Sequence, residues 1–274
     1  MACQSHGFAV GAVVSWAEAG VGAVVTQAFA DPSHGPEGLA LMRQGLSAAD
    51  SLASLLAWDT DKERRQVGIV DGRGDVASHT GSEAIPEAGV ASGIAYSCLA
   101  NMAEKASVWD AMARAYENGE GDLAERLLAA LEAAEAEGGD LRGKRSAALR
   151  IVEPVAGPRA GQGVVFDLRI DDHPEPLAEL RRLTSLQRAC NHMNAGARAA
   201  AAGDWQAAQR EYAAAAELDG RNPEIAFWHG LVLASSGDID AARLLLREAF
   251  VAGERWRVLA RRLLRGQGDW LEKL

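Results

Sequence analysis

The sequence predicts an α+β domain followed by an all-helical array of repeated hairpins. Short β-branched runs separated by turns fill the first two-thirds of the chain, a proline-containing segment at 171–176 ends them, and a 34-residue repeat follows. At 274 residues the chain has room for two domains, since single domains usually span about 100–200 residues. We predict one domain over residues 1–178 and a second over residues 179–274.

Strands of the first domain are predicted where β-branched and small residues run between turn residues: 8–17, 20–28, 65–70, 75–81, 94–100, 146–154 and 163–172. The turn at 71–74, Asp-Gly-Arg-Gly, is typical of a β-hairpin and joins the third and fourth of these strands. Because strands and helices alternate in groups, the order favours a layered α+β domain over a regularly alternating parallel sheet.

Helices of the first domain are predicted from apolar residues at helical spacing. The region from Pro36 to Trp58 gives two helices divided at Gly45, and Ser47 followed by Asp50 indicates an N-cap. Two more helices are predicted at 106–117 and 121–137, and Gly138-Gly139 ends the second. A connecting helix is predicted at 176–189.

An internal repeat defines the second domain. Gly203-Asp204 recurs 34 residues later as Gly237-Asp238, and Ala207-Ala208 recurs as Ala241-Ala242. Thirty-four residues is the period of the tetratricopeptide repeat (TPR), so we predict TPR-like helical hairpins. Two hairpins are fewer than the three that such arrays usually need, and residues 256–264 are expected to act as a cap.

Composition excludes several functional classes. The net charge of −10 argues against nucleic acid or an anionic membrane as a partner, and no apolar run is long enough for a membrane span. The three cysteines and six histidines fall singly along the chain, so we expect no disulfide framework, no metal site and no cofactor. A cytoplasmic location is expected.

An ordered set of motifs carries a family resemblance. The motifs span 10–28, 35–48, 65–71, 79–81, Asn101-Met102, 138–149 and 167–176. Together they resemble the bacterial family called domain of unknown function 1028 (DUF1028), over residues 1 to about 178. The resemblance implies the N-terminal-nucleophile (Ntn) hydrolase superfamily, whose fold is an αββα sandwich. It also implies an amide-bond hydrolase.

The resemblance makes the start of the chain important. An Ntn hydrolase attacks the substrate carbonyl with an N-terminal Thr, Ser or Cys, and its own α-amino group acts as the base. Residues 1–5 align instead with a later strand of the family, so we expect the nucleophile to lie upstream of Met1 and the first strand to be missing. The alternative is that trimming exposes Cys3 as the nucleophile, and the structural interpretation of Cys3 is an ordinary strand residue.

Substrate-binding residues are expected within the matching motifs, because hydroxyl, amide and guanidinium groups can orient a substrate or stabilise an oxyanion. The candidates are Ser5, His6, Thr26, His79, Thr80, Asn101, Asp140 and Arg142. His79 and Thr80, at the end of a strand, are the first choice.

Two functions from different classes remain open. One is a hydrolase of a small amide, a ureido compound or a peptide, inactive in the chain as written. The other is a non-catalytic ligand-binding or scaffold protein. In both, the TPR-like tail would bind a protein partner. The unpaired sheet edge left by a missing strand predicts a homo-oligomer.

Overall fold

The computed structural model describes residues 1–159 and 162–263. The chain divides into two compact units, Met1–Arg182 and a second that begins at Leu183. The first unit mixes helices and strands, whereas every element described in the second unit is a helix. Of the helices in the described ranges, none is both long and apolar enough to cross a lipid bilayer.

The described residues of the first unit form nine strands and the helices between them. In chain order the elements are β1 Ala2–Ser5, α1 Val10–Val13, β2 Ser15–Glu18, β3 Gly22–Ala28, α2 His34–Arg43, α3 Ala48–Ala57, β4 Arg65–Asp71, β5 Val76–Thr80, β6 Gly89–Gly93, β7 Tyr96–Ala100, α4 Val108–Asn118, α5 Leu123–Ala136, β8 Ser146–Val152, β9 Val164–Ile170 and α6 Pro176–Ala201, which continues into the second unit. All the pairings are antiparallel, in the sheets β1-β8-β9, β2-β3-β4-β5 and β6-β7.

The four-stranded sheet has two differently covered faces, as the alternation of side chains along a strand requires. Val24, Val67 and Ile69 point to one face and pack against apolar residues of α2 and α3. Gly68 points to the other face, where a Cβ atom would lie 2.9 Å from the Leu99 side chain of β7. Helices α4 and α5 pack against each other, α4 against β6 and β7, and α5 against β1.

Local sequence explains how the helices of this unit begin and where they approach the sheet. Ser47 caps α3, because its hydroxyl accepts a hydrogen bond from the Asp50 amide at 3.1 Å. In α2, a Cβ atom on Gly35 would lie 2.0 Å from the Trp16 indole, so only glycine permits the helix to approach β2 this closely. Glycine here is a packing requirement.

Three predicted elements differ from the structure. The predicted strand at 8–17 is wrong in its first half, because residues 10–13 form the short helix α1. Val10 and Val14 are four residues apart and pack together with Cys3 and Ala148, a helical spacing rather than a strand alternation. Strand β6 was not predicted, since its sequence Gly-Val-Ala-Ser-Gly lacks a β-branched run. Helix α6 extends past the predicted end at residue 189.

The second unit consists of α-helices in succession. After α6 come α7 Trp205–Leu218, α8 Pro223–Ser235, α9 Ile239–Ala252 and α10 Glu254–Leu263. The two repeated aspartates, Asp204 and Asp238, cap α7 and α9 through hydrogen bonds from the amides three residues on. The predicted cap at 256–264 corresponds to α10 as far as Leu263, and Leu264 lies outside the described residues.

Candidate functional site

A cavity of about 830 Å³ lies inside the first unit. Its wall includes β1, residues of β3 and β4 on the face away from α2 and α3, strand β7, and the inner sides of α4 and α5. The volume falls within the range of about 300–1,000 Å³ that ligand pockets occupy. Apolar residues form more than half of the wall, and glycines and polar or charged residues form the rest.

One group of polar side chains forms a hydrogen-bonded row along the cavity side of the four-stranded sheet. Gln66 is fully buried, and its Oε1 accepts hydrogen bonds from Gln27 at 2.7 Å and from Asn101 at 3.4 Å. Its Nε2 donates to the Thr80 hydroxyl at 2.9 Å and to the Gly89 carbonyl at 3.0 Å. Gln27 and Asn101 line the cavity, so two carboxamides reach it with their orientation set by a buried third.

A second polar group includes Ser5, Asp140 and Arg142, all of which line the cavity. The Arg142 guanidinium donates to both carboxylate oxygens of Asp140, at 3.0 and 2.7 Å. Burial alone would raise the pKa of the Asp140 carboxyl, but the hydrogen bonds from Arg142 outweigh it and hold that pKa below its ordinary value. Asp140 therefore remains charged at neutral pH.

Backbone contacts connect the two polar groups. Ala103, two residues after Asn101, forms an antiparallel bridge with Asp140, and the Leu141 amide donates to the Met102 carbonyl at 2.9 Å. The His6 amide reaches the Asp140 carboxylate at 3.4 Å. Asn101 and Asp140 consequently lie at the same end of the cavity.

Cys3 lines the cavity from β1, but its chemistry is that of a buried thiol. Burial raises the pKa of Cys3 to about 12, which leaves the thiol protonated at neutral pH. Cys98 on β7 has the same property, with its pKa raised by burial to about 12. A protonated thiol is a poor nucleophile, so in the untrimmed chain Cys3 has the character of an ordinary buried strand residue.

The remaining candidate residues lie away from the cavity wall. Thr26 faces α2 and α3 and accepts a hydrogen bond from the Asp31 amide at 3.3 Å. His79 lies on that same face, and its Nε2 contacts the Lys62 carbonyl at 2.8 Å. Thr80 faces the cavity side but reaches it only through Gln66. The His6 side chain does not form part of the cavity wall.

The motif at 79–81 has a packing explanation. A Cβ atom on Gly81 would lie 2.3 Å from the Glu63 carbonyl, and the Gly81 amide donates to the Arg65 carbonyl at 2.9 Å. With His79 bonded to Lys62, these contacts fasten the end of β5 to residues 62–65. The three-residue motif thus has a structural role in fixing the sheet.

Sequence reasoning missed Gln27 and Gln66. Each is a polar residue within an otherwise apolar β-branched run, and their side chains lie opposite one another in the register of β3 and β4. Glutamine is uncommon inside buried strands, so its presence in two predicted strands was the signal that the sequence offered. Among the residues that the structure describes, no cluster of three or more His, Cys, Asp or Glu has the arrangement of a metal site.

The chain is similar to one protein family and to a solved structure of a member of that family. Residues 1–180 match the family described as "Family of unknown function (DUF1028)". A crystal structure of protein SPO2555 from Silicibacter pomeroyi, which is assigned to the same family, is 30% identical in sequence. The match covers 67% of this chain and 77% of that one with a TM-score of 0.60. No curated protein matches the chain.

Proposed function

Because the chain belongs to the DUF1028 family, we propose that the cavity of its first unit binds a small amide, a ureido compound or a peptide. We also propose that this unit follows the αββα plan of the Ntn hydrolases. The observation that carries the proposal is the 830 Å³ cavity with carboxamides and an ion pair at one end.

The polar end of the cavity matches the chemistry of an amide. An amide group offers one carbonyl acceptor and N–H donors, and the carboxamides of Gln27 and Asn101 can pair with both. Because Gln66 fixes both side chains, little side-chain freedom is lost on binding. The apolar remainder of the wall would hold the substituents of the ligand.

Hydrolysis needs an activated nucleophile, and the polar residues at this end of the cavity supply binding groups instead. The Cys3 thiol is protonated in the untrimmed chain, and the Ser5 hydroxyl accepts a hydrogen bond from the Gly7 amide at 3.0 Å. These two observations favour the second candidate function, in which the described part of the protein binds a ligand without turning it over. We propose hydrolysis only with a nucleophile other than Cys3.

The helical unit supports a second part of the proposal. The repeated aspartate caps at a 34-residue spacing fit TPR-like hairpins, which bind protein partners in other proteins. We propose that the second unit holds a protein partner, that the protein is cytoplasmic and that it forms a homo-oligomer. Nucleic acid and membranes are not proposed as partners.

Substitution of Asn101 tests the site. We expect Asn101→Ala to weaken the binding of a small amide about fivefold, because one hydrogen bond contributes about 1 kcal/mol. His79→Ala is the matched control, since His79 lies on the opposite face of the sheet. Calorimetric titration with N-acetylalanine methylamide measures both, and mass spectrometry of the same samples detects turnover. Loss of binding in His79→Ala but not in Asn101→Ala would place the site elsewhere.

A further inference from the structure

We propose that a groove between helices α8 and α10 of the second unit binds an acidic amphipathic helix of a protein partner. This inference rests on the proposed function, because it specifies which kind of partner the second unit holds. The partner contributes carboxylates at the edge of the groove and apolar side chains within it, which is the helix-in-groove mode of recognition.

The exposed side of α8 carries an apolar strip, formed by Trp228 and Leu231. Six residues of this helix are buried, and the strip lies on the side that remains. Glu224, Trp228 and Leu231 follow one another at spacings of four and three residues, so they share one face of the helix. The Trp228 indole Nε1 donates to the Glu224 carboxylate at 3.3 Å, as the shared face requires. Both residues of the strip are only half-buried, so a partner can reach apolar surface here.

Helix α10 borders this strip. The Trp256 ring of α10 lies 5.1 Å from the Phe227 ring of α8. Leu259 of α10 packs, half-buried, against the same core cluster as Trp228 and Leu231. The strip on α8 and the neighbouring side of α10 therefore form the floor and one wall of a groove.

Two arginines lie at the edge of this wall. Arg255 is four residues before Leu259 and Arg262 is three residues after it, so all three share one side of α10. They line one depression of the protein surface. The Arg257 guanidinium, by contrast, lies over the Phe250 ring of α9 at 4.6 Å and marks a different side of the helix. The wall of the groove is thus the side of α10 that Arg255 and Arg262 flank.

These two arginines have positive charge to offer a partner. Helix α10 holds four arginines and a single glutamate, Glu254, which pairs with Arg257 at 3.5 Å. Within residues 1–159 and 162–263, neither Arg255 nor Arg262 forms an ion pair, although the chain as a whole is acidic. Unpaired positive charge beside an apolar strip is complementary to a partner that is both acidic and amphipathic.

The spacing of the two arginines favours a helical partner over an extended one. Seven residues of an α-helix span about 10 Å, so Arg255 and Arg262 are about that far apart along α10. Glutamates seven residues apart on a partner helix repeat this spacing and share one face. In an extended chain, residues about 10 Å apart are three positions apart, and their side chains point to opposite faces.

The experiment uses the full chain and a capped amphipathic helical peptide of about 18 residues, with leucines along one face and glutamates seven residues apart beside them. Two further peptides carry glutamine or lysine in place of these glutamates. Fluorescence anisotropy of the labelled peptides measures the three affinities. We expect the glutamate peptide to bind, the glutamine peptide to bind at least about tenfold more weakly and the lysine peptide not to bind, because only carboxylates pair with both arginines.

Charge reversal tests the same contacts from the side of the protein. We expect Arg262→Glu to weaken binding of the glutamate peptide about tenfold, and Arg255→Glu combined with Arg262→Glu to make the lysine peptide bind. Arg261→Glu is the matched control, because it reverses the charge of an exposed arginine about 100° away around the same helix. Its expected effect on affinity is less than about threefold. All three arginines are exposed, so circular dichroism should show unchanged helix content in each variant.

The outcomes separate this inference from the proposed function. Equal affinity for the glutamate and glutamine peptides, or binding of the lysine peptide to the parent protein, would overturn the inference and leave a protein partner of other chemistry standing. Binding of no peptide would overturn the inference, and the cavity proposal would still stand if N-acetylalanine methylamide binds. Equal effects of Arg262→Glu and Arg261→Glu would place binding outside the groove and overturn the inference. A dimer that Arg262→Glu dissociates, with no peptide bound, would identify a second copy of this chain as the occupant and overturn the assignment of a different partner.

Discussion

Asp71 is a buried carboxylate that fixes two neighbouring elements. It accepts hydrogen bonds from the amides of Arg73 at 2.9 Å and Asp75 at 3.1 Å, which holds the hairpin turn after β4. It also accepts one from the Ala48 amide at 3.2 Å, at the start of α3. Burial by itself would raise the pKa of Asp71, but these bonds and the Arg73 guanidinium lower it below its ordinary value.

We expect Asp71→Asn to lower the free energy of unfolding by about 1–3 kcal/mol at pH 7, because buried donors lose a charged acceptor. Since folding lowers the Asp71 pKa, its contribution is complete above the unfolded pKa of about 4 and is lost as the pH falls through the folded pKa. Urea unfolding should show that the difference in the free energy of unfolding between variant and parent is smaller at about pH 3 than at pH 7. Asp75→Asn, at an exposed side chain, is the control. A difference independent of pH would contradict this explanation.

Single residues show what sequence alone could identify in the site. Ser5, Asn101, Asp140 and Arg142 were predicted and do line the cavity. His79 was the first choice, but its side chain lies on the sheet face that packs against α2 and α3, opposite the cavity. Neighbouring residues of a strand point to opposite faces, so Thr80 faces the cavity side and His79 does not. The faces follow from the pairing register, which local patterns do not specify.

At the scale of elements, the aspartate caps of α7 and α9 permit a direct test. We expect Asp204→Ala and Asp238→Ala each to lower the free energy of unfolding by about 1 kcal/mol, because the amides of Ala207 and Ala241 lose their acceptors.

Asp240→Ala is the control for these caps, since Asp240 lies in the first turn of α9 with a side chain that is 96% exposed. Its expected effect is within about 0.5 kcal/mol. Chemical denaturation of the full chain compares all three variants. Equal effects of Asp238→Ala and Asp240→Ala would show that the cap contributes nothing.

Elements with a local signal were predicted, and those that depend on distant partners were not. The β4–β5 hairpin and the division between α2 and α3 follow from turn residues and from Gly45, all close in sequence. Residues 10–13 form a helix because Val10 packs on Cys3 and Ala148, which are remote along the chain. Strand β6 likewise exists through its pairing with β7.

At the scale of the molecule, the acidic charge is concentrated in the part of the chain that contains the cavity. Residues 1–183 carry 16 Lys and Arg against 27 Asp and Glu, whereas residues from Thr184 onward carry 12 against 11. A surface with this balance attracts cations over several ångströms and repels anions, and dissolved salt screens both effects.

We therefore expect N-acetyllysine methylamide, which is a cation, to associate about tenfold faster than the anion N-acetylglutamate methylamide at low ionic strength. N-acetylalanine methylamide is the neutral control, and its association rate should lie between the other two. Stopped-flow measurements in about 10 mM and about 500 mM salt should show the difference disappearing as the Debye length shortens. Association rates that do not respond to salt would contradict electrostatic attraction.

Membership of the family and the division into two units could be anticipated from ordered motifs and from the 34-residue repeat. The cavity could not, because it depends on how strands of three sheets and the helical pair α4 and α5 enclose a space. The buried row around Gln66 joins residues from β3, β4, β5 and the end of β7. Such a network is specified only by the assembled fold.

The one-sided pairing of β1 has a consequence for the exchange of its backbone hydrogens with solvent. The Cys3 amide is held by β8, whereas the neighbouring amides of Ala2 and Gln4 point away from it. Deuterium uptake along this strand should alternate between slow and fast from one residue to the next. Pairing of the outer edge of β1 with any further strand would abolish the alternation, so a few amide protons report whether that edge is paired.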